Sequence, residues 1–335
     1  MDELAAELLE RFRRRERRAL VQILTQLEGA TLPAPPARTS GRAQVVGIAG
    51  SGGAGKSTLV AASIGHLRRQ RRTVAVLACD PQSPVTGGAL LGDRVRVRFD
   101  AGDEGVYFRS LSTRGAPGGI SAAVGPAVGW LASFGFDVVL VETVGVGQDE
   151  LEITRTAHTT LVVMAPGLGD DVQAIKAGLM ECADVFCVNK ADRDGADATV
   201  RDLELMIALG SETMIASGKT RGHVVHSEAD GVAQAALREG WTPPIVKCVA
   251  LRGEGTGELM EALERHHAWV VETNAGRARR HERLTEELRE TLREALIDAA
   301  SDALGEGIEE AVAAVEAKAL DPYTATVQLV ARFRR

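Results

Sequence analysis

The eight residues Gly50-Ser51-Gly52-Gly53-Ala54-Gly55-Lys56-Ser57 spell a complete G-x-x-x-x-G-K-S phosphate loop, and their surroundings decide what fold can carry it. Upstream, Val45-Val46-Gly47-Ile48-Ala49 is a short apolar run that reads as a buried strand. Downstream, Thr58-Leu59-Val60-Ala61-Ala62 reads as a helix start. A strand, a glycine-rich turn and a helix in that order wrap backbone N–H groups around a polyphosphate and aim a helix N-terminus at it. In this reading Gly50 through Thr58 cradle the phosphates. Lys56 reaches the β- and γ-phosphates, and Ser57 sets its hydroxyl on Mg2+.

The alternation that opens here continues along the chain. Apolar runs at 45–49, 73–79, 137–142, 159–165, 184–188 and 244–249 are mostly separated by helix-length segments. They predict an α/β P-loop NTPase fold: a mainly parallel sheet covered by helices on both faces, with ligands beyond the carboxyl ends of the strands. The expected organisation is an N-terminal helix and Pro-rich linker over 1–43, a P-loop nucleotide-binding domain over 44–272 and a helical C-terminal region over 273–335. Residues 2–28 read as one amphipathic helix whose basic run, Arg11 to Arg18, suits either an anionic partner or a solvated face. In the tail, Leu284, Leu288, Leu292 and Leu296 recur every fourth residue. Gly305 and Gly307 are expected to break that helix, and Asp321-Pro322 to begin the last one. The apolar stripe either packs on its own domain or serves as a dimerisation arm.

A formal net charge of −7 argues against a general nucleic-acid binder, whose footprint would be basic. No apolar stretch approaches the length of a membrane span. The start Met1-Asp2-Glu3 does not resemble a secretory signal, so a cytoplasmic location is expected. Cys79, Cys182, Cys187 and Cys248 form no C-x-x-C pair and read as reduced thiols, and the histidines show no metal-ligand spacing.

Further motifs fall at the strand ends. Asn189-Lys190-Ala191-Asp192 follows the apolar Val185-Phe186-Cys187-Val188. An aspartate there accepts from guanine's ring N–H and exocyclic amine, donors that adenine lacks as a pair, so the wrong base leaves a carboxylate unpaired. Lys190 lies along the base or braces the phosphate loop, and the backbone N–H groups of Val249, Ala250 and Leu251 complete the base pocket. Glu142, ending the strand Val138–Val141, holds Mg2+ or caps the next helix. Asp80 ends the second strand before the glycine-rich Thr86–Asp93. Asp80 is the better metal or water-network candidate, whereas Asp93 fits either a metal ligand or a turn acid. Beyond Pro166-Gly167, Asp170 or Asp171 can cap a helix whose Gln173 and Lys176 share one face. That pair either orients water and stabilises developing charge or belongs to a solvated face. Arg109 and Arg114 are the internal arginine candidates; otherwise hydrolysis is expected to be slow until a partner completes the site.

Together these residues resemble the MeaB/ArgK-type GTPases, the accessory G proteins of adenosylcobalamin-dependent acyl-CoA mutases. The resemblance runs from about residue 44 to 265. It rests on Asp80-Pro81, Thr86-Gly87-Gly88, Leu91-Gly92-Asp93, Arg114-Gly115, Gly118-Gly119, Val141–Gln148 and the stretch from Pro166 through Asp192. It implies GTP/GDP and Mg2+ as ligands and a GTP-hydrolysing chaperone that gates cobalamin delivery to a mutase and protects or reactivates it. It also implies a homodimer joined through the C-terminal helices, and it makes Asp170, Gln173 and Lys176 participants in hydrolysis as part of a further switch. Gly52 in place of the family's proline, Gln82 in place of serine and Cys248 in place of threonine suggest a less common subgroup. The alternatives are a P-loop kinase, which needs an acceptor pocket, and a partitioning-type ATPase, which usually has lysine where Ser51 stands.

Overall fold

The computed structural model describes residues 3–26, 43–80, 102–112, 121–143, 156–167, 182–217 and 240–334. Strand β1 (Gln44–Ala49) is buried along its whole length, with Val45 turned to one face of a sheet and Val46 to the other. It is joined by β2 (Val74–Asp80), β3 (Val106–Ser112), β4 (Val138–Thr143), β5 (Thr159–Met164), β6 (Val185–Asn189) and β7 (Ile245–Cys248). The order is β3-β2-β4-β1-β5-β6-β7, and every pairing is parallel. Each strand therefore ends on the same rim. The chain leaves β1 toward β2 on one side and returns to β5 on the other, so strand order reverses beside β1, where such sheets open a crevice.

Both faces are covered, which is why the strands read as continuous apolar runs. Helices α3 (Lys56–Arg69) and α6 (Thr256–Glu272) pack Leu59, Ile64, Leu67, Leu259 and Leu263 against Val46, Ile48 and Leu140. The opposite face takes α1 (Glu3–Arg13), α2 (Arg17–Gln26) and α4 (Ser121–Phe134) at one end and α5 (Ala196–Ser217) at the other. There Phe12 meets Trp130 edge-on, with ring centroids 4.9 Å apart.

Three local expectations need correction. The N-terminal segment is two helices, not one. Arg15 adopts a left-handed φ of 61°, its N–H donates to Phe12 O at 2.8 Å, and Glu16 N–H donates to Arg11 O at 3.1 Å. That is a Schellman stop with arginine where glycine usually stands, so the usual signal is missing. Strand β3 was not expected, because Val106-Tyr107-Phe108-Arg109-Ser110-Leu111-Ser112 is too polar for a fully buried strand; Phe108, Arg109 and Ser110 are only half-buried. Finally, α7 (Asn274–Glu316) runs unbroken through Gly305 and Gly307. A Cβ at Gly307 would stand 2.8 Å from the guanidinium tip of Arg332 in α8 (Pro322–Phe333), a side chain that can shift aside, so both glycines are simply carried within the helix.

The chain divides into two compact units, Met1–Leu284 and Thr285–Arg335. The second holds the later part of α7 and the whole of α8, which pack around Leu304 and Ala325 and share an Arg332–Glu310 ion pair of 3.1 Å. Asp321 caps α8 by accepting from the N–H groups of Tyr323 and Thr324, each at 3.0 Å, as its Asp-Pro start implies.

Candidate nucleotide site

β1 delivers the chain into a turn whose Gly50, Gly53 and Gly55 have φ of 138°, 79° and 92°. Gly55 is required twice over, by its left-handed φ and because a Cβ would collide with Asn189 Nδ2. Gly55 also begins α3, with no side-chain cap and no acid in the first helical turn. The positive end of α3 is thus presented at the strand-end rim, the arrangement that receives anions. Lys56 is buried, and its Nζ donates to Gly50 O and, at 3.2 Å, to Ser51 O.

One residue on, Ser57 Oγ donates to Glu142 Oε1 at 2.6 Å. Glu142 is 3% exposed and pairs in register with Ile48 of β1 and Ala78 of β2, which sets it in the middle of the sheet. Asp80 is the last residue of β2, one step beyond the Cys79–Thr143 pair, so its backbone ends on the same rim.

The Asn189–Asp192 turn reaches the phosphate loop directly. Asn189 Nδ2 donates to Ala54 O at 2.9 Å and to Gly55 O at 3.4 Å, and Asn189 Oδ1 accepts from Ala250 N–H at 3.1 Å. Lys190, at a left-handed φ of 57°, donates from Nζ to Gly53 O at 2.6 Å. Of the two roles open to Lys190, the geometry is that of a brace across the loop. The N–H groups of Val249 and Ala250 go to Glu254 O and Asn189 Oδ1, so neither donor points at a base in this arrangement. Leu251 is 87% exposed beside them.

The chain matches the family described as methylmalonyl Co-A mutase-associated GTPase MeaB over residues 8–305. It belongs to the MeaB family of GTPases. A Pyrococcus horikoshii relative carrying a GTPase name is 43% identical over 285 residues, 84% of this chain and 83% of that protein. GTPase ArgK of Escherichia coli is 33% identical over 267 residues, 77% of this chain and 74% of that protein. The mitochondrial methylmalonic aciduria type A homolog of Mus musculus is 30% identical over 252 residues, 74% of this chain and 55% of that protein. The crystal structure of a LAO/AO transport system kinase superposes with a TM-score of 0.62 at 25% identity, covering 100% of this chain and 99% of that one.

Against this MeaB-family background, Asp93, Asp170, Gln173, Lys176 and Arg114 lie outside the described residues. Arg109 donates to Thr25 of α2 at 3.2 Å, which ties it to the N-terminal helices. Among the described residues no cluster of His, Cys, Asp and Glu suits a metal ion, and no helix is long and apolar enough to cross a membrane. The four cysteines are free thiols; the hydrogen bond with Cys248 and burial both push the Cys187 thiol up.

Sequence reasoning missed two features. Arg252, two residues past Ala250, forms an ion pair with Asp192 at 3.6 Å. At the opposite end of β6, the fully buried Asp184 binds Arg279 at 2.5 Å and Arg283 at 2.9 Å, both from the first turns of α7, and accepts from Thr160 N–H at 2.8 Å. Burial pushes the Asp184 carboxyl up, but the two guanidinium groups outweigh it and hold it well below the usual range. His266, 3.5 Å away, is pushed by burial down to about 4, so near neutral pH it is uncharged and the two arginines supply the main countercharge.

Proposed function

We propose that this GTPase works through Mg2+ and uses its nucleotide cycle to gate the loading of adenosylcobalamin into an acyl-CoA mutase, and to protect or reactivate that mutase. The observation that carries the chemical half is the 2.6 Å contact of Ser57 with Glu142 behind an uncapped helix start. Its donors are a hydroxyl and a carboxylate, the oxygen set preferred by a hard divalent cation, so Ser57 and Glu142 fit Mg2+, with Asp80 at the neighbouring strand end. Mg2+ held there would offset charge on the β- and γ-phosphates.

The chain's own groups do the rest. Loop N–H groups and the α3 terminus bind phosphate, and Lys56, seated on the carbonyls of Gly50 and Ser51, needs only a short swing to reach it. Asn189 and Lys190 hold the loop in shape, Asp192 accepts from the two donors on guanine, and the exposed Leu251 gives the base an apolar cover. Asp170, Gln173 and Lys176 are proposed to complete hydrolysis when the mutase docks.

The mutase assignment follows from membership of a family described as mutase-associated. The proposed homodimer rests on α7, where Leu288, Leu292 and Leu296 are 69%, 55% and 50% exposed at four-residue spacing. A stripe of that kind is buried by a second copy of the same helix far more readily than left in water. The protein is proposed to act in the cytoplasm. GTP turnover measured with and without each candidate acyl-CoA mutase tests the reading: stimulation by one of them is expected, and indifference to all would overturn the partner. The name of the LAO/AO transport system kinase keeps a phosphotransfer reading alive. Release of inorganic phosphate with no acceptor present would dismiss it.

A further inference from the structure

Arg252 closes a short 3-10 turn, Ala250–Arg252, that is capped by Gly253 at a φ of 71°. The turn is closed by Val249 N–H, which donates back to Glu254 O at 3.0 Å and makes an isolated bridge. On that platform Arg252 Nε pairs with Glu254 Oε1 at 2.8 Å, and Nη2 lies 3.4 Å from Glu254 Oε2. The same Nη2 lies 3.6 Å from Asp192 Oδ2, across from the loop after β7 to the turn after β6. Among the described residues this is the ion pair that Asp192 makes.

We propose that Arg252 is a positioning residue for base selection: pinned by Glu254, it sets the Asp192 carboxylate at the angle that receives the ring N–H and 2-amino group of guanine. The inference rests on the reading of Asp192 as the guanine acceptor. Its physical basis is order rather than charge. Glu254 offsets the guanidinium, and with Arg252 53%, Glu254 59% and Asp192 40% exposed, solvent leaves little net attraction. What remains is the geometry of a planar fork shared between two carboxylates, which a lysine cannot imitate. A side chain ordered beforehand does not have to be immobilised when the base arrives, and one such side chain is worth about three- to tenfold in affinity.

Calorimetric Kd values for GDP, IDP and ADP on the full chain test this, using Arg252→Ala, Arg252→Lys and Asp192→Asn. IDP lacks the 2-amino group, and ADP has no use for the Asp192 carboxylate. Arg252→Ala is expected to weaken GDP about three- to tenfold, to weaken IDP less, and to leave ADP unchanged. Arg252→Lys should resemble Arg252→Ala, and adding Arg252→Ala to Asp192→Asn should cost nothing further. Equal weakening of all three nucleotides would reduce Arg252 to a structural prop. Unchanged or tighter GDP binding, or full rescue by lysine, would overturn the proposal as well. If Asp192→Asn itself leaves the GDP/ADP ratio unaltered, the fault lies in the reading of Asp192, whatever Arg252 does.

Discussion

Ser57 Oγ and Glu142 Oε1 stand 2.6 Å apart although 85 residues separate them in sequence. The contact joins the start of α3 to the end of β4, two points that only the parallel order β4-β1 brings together. Glu142→Gln keeps the shape and removes the charge. Phosphate release in Mg2+ is expected to fall by roughly 100-fold, several kcal/mol of transition-state stabilisation being at stake. Wild-type turnover in this variant across a Mg2+ titration would remove Glu142 from the metal site.

Lys56→Ala takes away the buried ammonium of the phosphate loop. A charge-assisted contact is worth about 1.5–3 kcal/mol, so GTP affinity should drop by roughly 10- to 100-fold or more. Calorimetry decides, and equal affinity would contradict the role given to Lys56.

Asn189→Ala deletes hydrogen bonds to Ala54 O and Gly55 O and strands the N–H of Ala250. A loss of about 1–3 kcal/mol in stability is expected, together with weaker GDP binding. Chemical denaturation and nucleotide titration on the same sample read both. A drop in neither would mean that the bridge between turn and loop is incidental.

The pH dependence follows from His266. Its folded pKa is about 4, below the ordinary value near 6.5, chiefly because it is buried. Between those values the unfolded chain binds a proton that the folded chain refuses, so stability rises with pH through this window and levels off above it. His267, also lowered by burial, adds in the same direction. Acidifying from pH 7 to 4 should cost roughly 3 kcal/mol from His266, and His266→Gln should flatten the curve. A wild-type profile level across that range would refute the assignment.

If α7 joins two copies, Leu292→Glu with Leu296→Glu should convert the dimer to a monomer of unchanged helicity. Sedimentation and circular dichroism would show it, whereas a dimer that survives both charges is joined elsewhere.

Much of this was readable beforehand, and the failures share a cause. The phosphate loop, Glu142 and Asn189 sit where apolar runs stop, and such boundaries are visible in one dimension. Arg15 ends a helix in a conformation that glycine normally announces, and Gly305 and Gly307 look like breakers although a long helix carries such glycines at a cost of about 1 kcal/mol each. β3 was hidden because its polar residues are only half-buried. Asp184 stands at the start of the apolar run 184–188; its partners Arg279 and Arg283 lie far along the chain, and no local pattern joins them. Arg252 escaped notice for a related reason, since its value depends on Asp192 arriving from another loop.

The tethering of β6 at both ends has a lasting consequence for variation in this chain. Asp184 is moored to α7 before the strand, and Asn189 to the phosphate loop after it. A single residue added or lost among Val185, Phe186, Cys187 and Val188 would turn the side chains on one side of the change to the wrong face or pull one mooring off its partner. This stretch can therefore drift by exchange of one apolar residue for another but not in length, and any lineage that keeps the nucleotide must also keep that count.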